Sequence, residues 1–328
     1  MRIGLIDVDN YEKLEGCWPN LALMKISAWH KAQGDHVEWY QPMFSGHMDK
    51  VYMSKVFSFT PDYPWFIDAD EIAKGGTGYC ISVVNGKEVF DKSKNVNLPD
   101  EIEHIYPDYE LYGIKDTAYG FMSRGCPRGC GFCHVKDKEG LCSIKVADLS
   151  EFWRGQKYIV LCDPNTLACK DWRDILQQLA DSKAWVDFNQ GVDIRLMTAE
   201  KAEMLKKIKI KRIHFAYDRY QDKEIIEPKF RTLKEVTGWG HDKVAVYVLT
   251  GFDTTMEQNL DRIMFLRSLD FNPYVMVYQK DALPKHHELR KLQGWVNNKI
   301  AFWACPTFEE FLKGRRHYGK RQQTSGSI

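Results

Sequence analysis

No run of apolar residues in this chain approaches the roughly 20 needed to cross a bilayer, so no membrane partner is expected. An excess of positive charge is missing as well. The 46 Lys and Arg face 45 Asp and Glu, for a formal net charge of +1. Proteins that hold large nucleic acids neutralise phosphates with a strong basic surplus. A small-molecule or nucleotide-sized substrate is therefore the better expectation. The opening MRIGLIDVDN turns acidic too soon for the apolar stretch of a secretory signal, and the expected location is cytoplasmic. Thiols stay reduced there, so clustered cysteines mean metal or catalysis more often than disulfides. Six of the nine cysteines (Cys17, Cys80, Cys142, Cys162, Cys169 and Cys305) are scattered and read as small buried hydrophobes.

Two kinds of sequence meet near residue 117. Before it, RIGLIDV (2–8) reads as a strand. A loop with Pro19 and a helix over 21–33 follow, with Leu21, Met24, Ala28 and Ala32 on one face and Gly34 as the stop. GGTGYC (75–80) reads as a tight glycine turn, and residues 1–117 as a small Rossmann-like α/β domain. LPDEIEHIYPDYELYG (98–113), punctuated by two prolines and a glycine, reads as the connector. Beyond it, apolar runs recur at 118–122, 158–162, 184–188, 212–217, 244–249 and 274–278, with amphipathic helices between them. Trp172, Ile175, Leu176 and Leu179 have the spacing of a one-sided helix. Thr254 and Glu257 suggest a capping box ahead of inward Leu260, Ile263 and Met264. Strands apolar on both faces that alternate with helices form a parallel sheet. Six units in about 160 residues fall short of an eight-unit barrel, which takes about 250, so residues 118–328 read as a partial (β/α)6 barrel. The end, GRRHYGKRQQTSGSI (314–328), reads as a frayed basic tail.

Residues 123–135, SRGCPRGCGFCHV, place Cys126, Cys130 and Cys133 within eight positions. Cys130 to His134 matches C-x-x-C-H, the attachment signature of c-type haem. That chemistry belongs to exported proteins, and it leaves Cys126 unexplained. Zinc would need His134 as a fourth ligand, yet adjacent residues such as Cys133 and His134 rarely reach one ion, and no second Cys/His pair follows. An iron–sulfur cluster normally takes four cysteines, so three leave one iron open, as an enzyme requires and an electron carrier does not. The loop also follows the first barrel strand, at the end where barrels build their sites.

Cys126-x-x-x-Cys130-x-x-Cys133, with Phe132 before the last cysteine, resembles the signature of the radical S-adenosylmethionine (SAM) enzymes. The resemblance implies a partial barrel and a [4Fe–4S] cluster on the three thiols. It also implies SAM on the open iron, cleaved to a 5′-deoxyadenosyl radical that takes hydrogen from substrate. A flavodoxin- or ferredoxin-like electron donor would supply the cluster. Phe132 would lie near the adenine. Asp163 and Asn165 would stand where the family has a Gly-Gly-Glu-like turn, from which this sequence departs. In FNQGVDIRL (188–196), Gln190, Asp193 and Arg195 would meet the ribose or the methionine carboxylate, Asp218 the ribose, and Gly251 the adenine.

A Rossmann-like domain ahead of such a barrel resembles the branch that carries cobalamin. The D-x-H-x-x-G stretch for a histidine ligand is missing, since Asp35-His36 runs into VEWY without the matching glycine, so no cobalamin is expected. The domain would instead cover substrate, with Asn20, Lys55, Gly76 and Thr77 as candidate contacts, the glycine turn and the lysine suiting a phosphate. Methylthiotransferases usually carry three further N-terminal cysteines, which Cys17 and Cys80 do not supply. The layout is similar to that of queuine lyases, which implies release of queuine from queuosine 5′-phosphate. The alternatives are a cobalamin-type methyltransferase, another radical-SAM enzyme, or a non-catalytic iron–sulfur or zinc module. No residue is assigned to the catalytic step itself.

Overall fold

The computed structural model describes residues 1–84 and 87–314. The basic tail beyond 314 lies outside the described residues. The chain divides into two compact units, Met1–Asp187 and the remainder from Phe188. Mixed α/β architecture with parallel sheets is present throughout.

The first unit opens with β1 (Arg2–Asp7), β2 (His36–Trp39), β3 (Met48–Ser54) and β4 (Ala69–Gly75), ordered β2-β1-β3-β4 and all parallel. Positions 3–7 of β1 are all buried, because both of its faces are covered. Ile3 and Leu5 pack with Leu23, Ile26 and Ile102, while Ile6 joins Tyr40, Met48, Val51 and Met53. The helix Leu21–Ala32 starts on Asn20, whose Oδ1 accepts from Leu23 N at 3.3 Å. Its inward face is not the expected Leu21/Met24/Ala28/Ala32. Leu23 through Ser27 and His30 are all buried. The segment 98–113 is the reason, since it packs on the helix's outer side instead of running free as a connector. Ile102 enters the core, and Asp108 accepts from Ser27 Oγ at 2.6 Å and Lys31 Nζ at 2.7 Å.

A short hairpin follows, β5 (Ile81–Val84) with β6 (Lys87–Phe90). Six strands then form one parallel sheet: β7 (Thr117–Gly120), β10 (Tyr158–Leu161), β11 (Trp185–Val192), β12 (Lys209–Ala216), β13 (Val244–Thr250) and β14 (Asn272–Val277), in sequential order. Each of the six expected apolar runs supplies one of them. Between β7 and β10 sits a two-rung hairpin of β8 (Ser123–Arg124) and β9 (Ile144–Lys145). The helix Trp172–Ser182 buries Trp172, Ile175, Leu176 and Leu179, as the spacing predicted.

The helix Met256–Ser268 needs two corrections. Its cap is Thr255, boxed with Gln258, whereas Thr254 Oγ1 is spent on Asn259 Oδ1 at 2.8 Å. Met264 faces out, and Arg262 is wholly buried in its stead. Hydropathy alone puts an arginine outside; five neighbouring acceptors override it. At the sheet's end, Asn297 acts as a surrogate strand for β14. Its Oδ1 accepts from Val275 N at 2.8 Å and its Nδ2 donates to Val275 O at 3.0 Å, covering the middle of an edge strand whose backbone groups are otherwise open to pairing.

Candidate functional site

The cysteine loop is stapled at its base. β8 and β9 pair through Ser123↔Lys145 and Arg124↔Ile144, so residues 125–143 close as one loop off the end of β7. Gly125 turns it at φ +84°, where a Cβ would sit 2.1 Å from Cys142 O; no other residue fits. Glu139 then closes the loop from inside, accepting from Gly125 N at 3.0 Å and Arg124 Nη1 at 3.2 Å. Arg124 Nη2 reaches Glu103 at 3.2 Å, and Glu103 takes Lys25 Nζ at 3.0 Å. Burial acts to raise the Glu103 carboxyl, but Lys25 and Arg124 outweigh it and hold it below its ordinary value. A chain of alternating charges thus runs from the first helix to the residue before Cys126.

Cys126, Cys130 and Cys133 all keep intermediate exposure, unlike Cys80, Cys162 and Cys169, which are buried. Cys133 N donates to Cys130 O at 3.2 Å, curling the second half of the motif. Phe132 is half-buried beside them. Among the described residues no group of three His, Cys, Asp or Glu is drawn around one point. The thiols of an iron–sulfur site are spread round a multi-atom cluster instead of a single ion, and half-exposed thiols are donors of the kind such a group uses. His134 faces elsewhere. Its Nε2 meets Glu88 Oε2 at 3.2 Å and its ring stacks on Phe90 at 6.2 Å, so it serves the β5–β6 hairpin.

Asp163 and Asn165 lie behind the loop. Asp163 is 3% exposed, and Met122 N (2.7 Å), Ser123 N (2.8 Å), Ser123 Oγ (2.6 Å) and Thr166 Oγ1 (3.3 Å) all donate to it. It ties the turn from β7 into β8 instead of opening toward a ligand. Burial pushes its carboxyl up to about 7, against the pull of Ser123 and Met122 N. The native state therefore holds a proton between about pH 4 and 7 that the unfolded chain has released. The stability this contributes is present below that window and lost as pH rises through it. Asp163→Asn should remove up to ~1.4 kcal/mol per pH unit of this decline. Urea titrations at pH 4.5 and 7 measure it, and equal slopes in both proteins would refute it. Burial likewise keeps the Cys162 thiol protonated, up at about 12, which makes it inert.

Asn165 is 1% exposed, and its Nδ2 donates to Cys126 Sγ at 3.4 Å. Its carbonyl oxygen accepts from Ser143 Oγ at 3.1 Å, pinning the far end of the same loop. This expected SAM contact thus touches a thiol of the motif.

In the second unit the expected contacts are partly committed to one another. Arg195 Nε donates to Asp193 Oδ1 at 2.7 Å and its Nη1 to Asp222 Oδ2 at 2.8 Å, so its charge is already balanced. Asp193 also accepts from Arg195 N, capping the turn Ile194–Leu196. Gln190 is exposed on β11. Asp218 accepts from Leu249 N at 3.1 Å, and burial pushes its carboxyl up to about 6. Gly251 bends the chain after β13 at φ +80°, with Leu289 only 2.9 Å from where a Cβ would stand.

Sequence reasoning missed two features here. Arg262 knits the strand ends together, donating to Tyr217 O, Asp218 O, Leu249 O and Asn259 Oδ1. His214, Tyr247 and Tyr274 form an aromatic row across β12–β14, with His214 stacked on Tyr247 at 5.2 Å and Tyr247 edge-on to Tyr274 at 5.9 Å. Period-2 alternation in HFAY and VAVYV carried the signal for the row, but register decides which residues meet.

Three of the four substrate candidates are engaged by other segments of the first unit. Asn20 Nδ2 donates to Ser54 Oγ at 2.8 Å while its Oδ1 caps the helix. Lys55 is 9% exposed, with its ammonium over the Tyr79 ring at 4.6 Å. Gly76 is glycine because a Cβ would lie 2.3 Å from Lys55 O, to which Gly78 N donates at 2.9 Å. Thr77 opens the four-residue helix Thr77–Cys80. Gly76 and Gly78 are thus required where the segment 55–57 passes close by, whereas Gly75 has open space beside it.

No protein-family model matches this chain, and no curated protein matches it either.

Proposed function

We propose that this protein is a radical-SAM enzyme whose six-stranded parallel sheet is a partial (β/α)6 barrel and whose N-terminal Rossmann-like sheet covers the substrate. What carries the reading is the stapled loop after β7 that presents Cys126, Cys130 and Cys133. When bound there, a [4Fe–4S] cluster supplies the electron for reductive cleavage of SAM. The three thiols hold the group, and Glu139, Arg124 and Gly125 hold the loop. Phe132 would lie beside the bound group, and an external flavodoxin- or ferredoxin-like protein would supply its electron. The substrate we infer is nucleotide-like, and the specific reaction is release of queuine from queuosine 5′-phosphate. A non-catalytic metal module is the rival. Queuosine 5′-phosphate, SAM and dithionite under anaerobic conditions should yield free queuine and accelerate 5′-deoxyadenosine formation at least tenfold. Equal rates with and without the nucleotide would sink the substrate assignment.

Asn165 has a definite task in this reading. An N–H donor on a ligating sulfur stabilises the more negative, reduced cluster and so raises its potential. Asn165→Ala should lower the ratio of reduced to oxidised cluster at a fixed potential by about tenfold, or 59 mV for one electron. Redox titration followed by EPR reads this without turnover, and an unshifted midpoint would remove Asn165 from the cluster's surroundings.

A further inference from the structure

After β14 ends at Val277, the chain turns through 278–287 into the helix Glu288–Val296. Within positions 280–291 it carries four Lys or Arg against two carboxylates, in a chain of net charge +1. The fold gathers these charges. Lys280, Lys285, His286, Arg290 and Lys291 line one cavity of about 550 Å³, with Tyr274 in its wall. That volume falls within the range of small-ligand sites.

The cavity is built on fixed parts. Arg290 Nε donates to Leu283 O at 3.2 Å and its Nη2 to Lys280 O, folding the turn against the helix. Gln293 and Asn297 lock the helix to β14 through Val275. Among the described residues the one ion pair in the group joins Arg290 to Asp281 at 3.9 Å, and that carboxylate is itself fully exposed. Cations confined in a concavity repel one another unless an anion joins them. A phosphate dianion brings three acceptor oxygens and two charges, where a carboxylate brings two oxygens and one. Tyr274, 44% exposed, adds a planar aromatic surface.

We infer that this groove binds a nucleoside monophosphate, its phosphate among Lys280, Lys285 and Lys291 and its base against Tyr274. The inference is independent of the cluster, because binding needs neither SAM nor reductant. Calorimetry on the full chain with guanosine 5′-monophosphate and with guanosine tests it. The nucleotide should bind at least tenfold more tightly than the nucleoside. Lys285→Glu/Lys291→Glu should weaken nucleotide binding at least tenfold, while Lys207→Glu, at an exposed lysine just after the helix Ala199–Lys206, should not. Both groove lysines lie outside the core, and a single Lys285→Ala variant, expected to lose severalfold, guards against misfolding of the double variant. Guanosine binding as tightly as its phosphate would overturn the inference. So would nucleotide affinity unchanged in both groove variants, or no nucleotide binding at millimolar concentration.

Discussion

Cys130→Ala should abolish both iron–sulfur incorporation and 5′-deoxyadenosine formation while leaving the fold intact. The thiol is only partly buried, on a loop whose conformation is set by Gly125, Glu139 and the β8–β9 rungs, none of which it supplies. Substitution at such a position usually costs about 0.5 kcal/mol or less, so the melting curve should barely move. What changes is the donor set. Two thiols cannot hold a cluster that is already one protein ligand short, and the brown colour of the reconstituted protein should be lost completely. Cys142→Ala is the matched control. It removes an exposed thiol of the same loop, and both properties should survive. SAM cleavage retained in Cys130→Ala would detach the motif from the chemistry. Loss of the cluster without any SAM cleavage in the wild type would favour the non-catalytic module.

Arg262→Ala should lower stability by about 3–5 kcal/mol, since each buried acceptor left without its donor costs about 1–3 kcal/mol. Its guanidinium is wholly buried, with Nη1 on Tyr217 O and on Asp218 O (2.7 Å) and Nη2 on Leu249 O (2.9 Å). Alanine leaves those carbonyls without their donor and opens a cavity besides. Arg262→Lys should recover only a minor part, because a point charge cannot serve two directions as the planar fork does. Urea unfolding should show a lower midpoint at constant slope. A loss under about 1 kcal/mol in the alanine variant would mean that water replaces the arginine without penalty.

The cysteine loop and Arg262 differ in how far the sequence exposed them. Cys126-x-x-x-Cys130-x-x-Cys133 is local, so its chemistry can be read from adjacent letters. The same holds for the six apolar runs, because a strand covered on both faces needs apolar residues at every position, whatever its neighbours. Arg262 could not be found that way. Its helical spacing matches that of Ile263 and Leu266, but its acceptors come from 217, 218 and 249. Asp163 and Asn165 were visible as polar residues at a strand end, and their location suggested a ligand. Only packing showed that one secures the β7–β8 turn and the other donates to Cys126. The segment 98–113 misled for the same reason, since its prolines and glycine mark turns but do not say whether the turns are covered.

By itself, then, the sequence determined the six strands of the larger sheet, their parallel character and the three-thiol loop. Each depends on residues within one element or one loop. Tertiary structure decided what holds that loop: Lys25, Glu103, Arg124 and Glu139 in one line of charge. Lys25 and Glu103 are 78 positions apart, and no periodicity links them. It also decided that four cations of 280–291 share a single cavity. A charge acquires its role from the dielectric and the partners around it, and those are fixed only when distant segments meet.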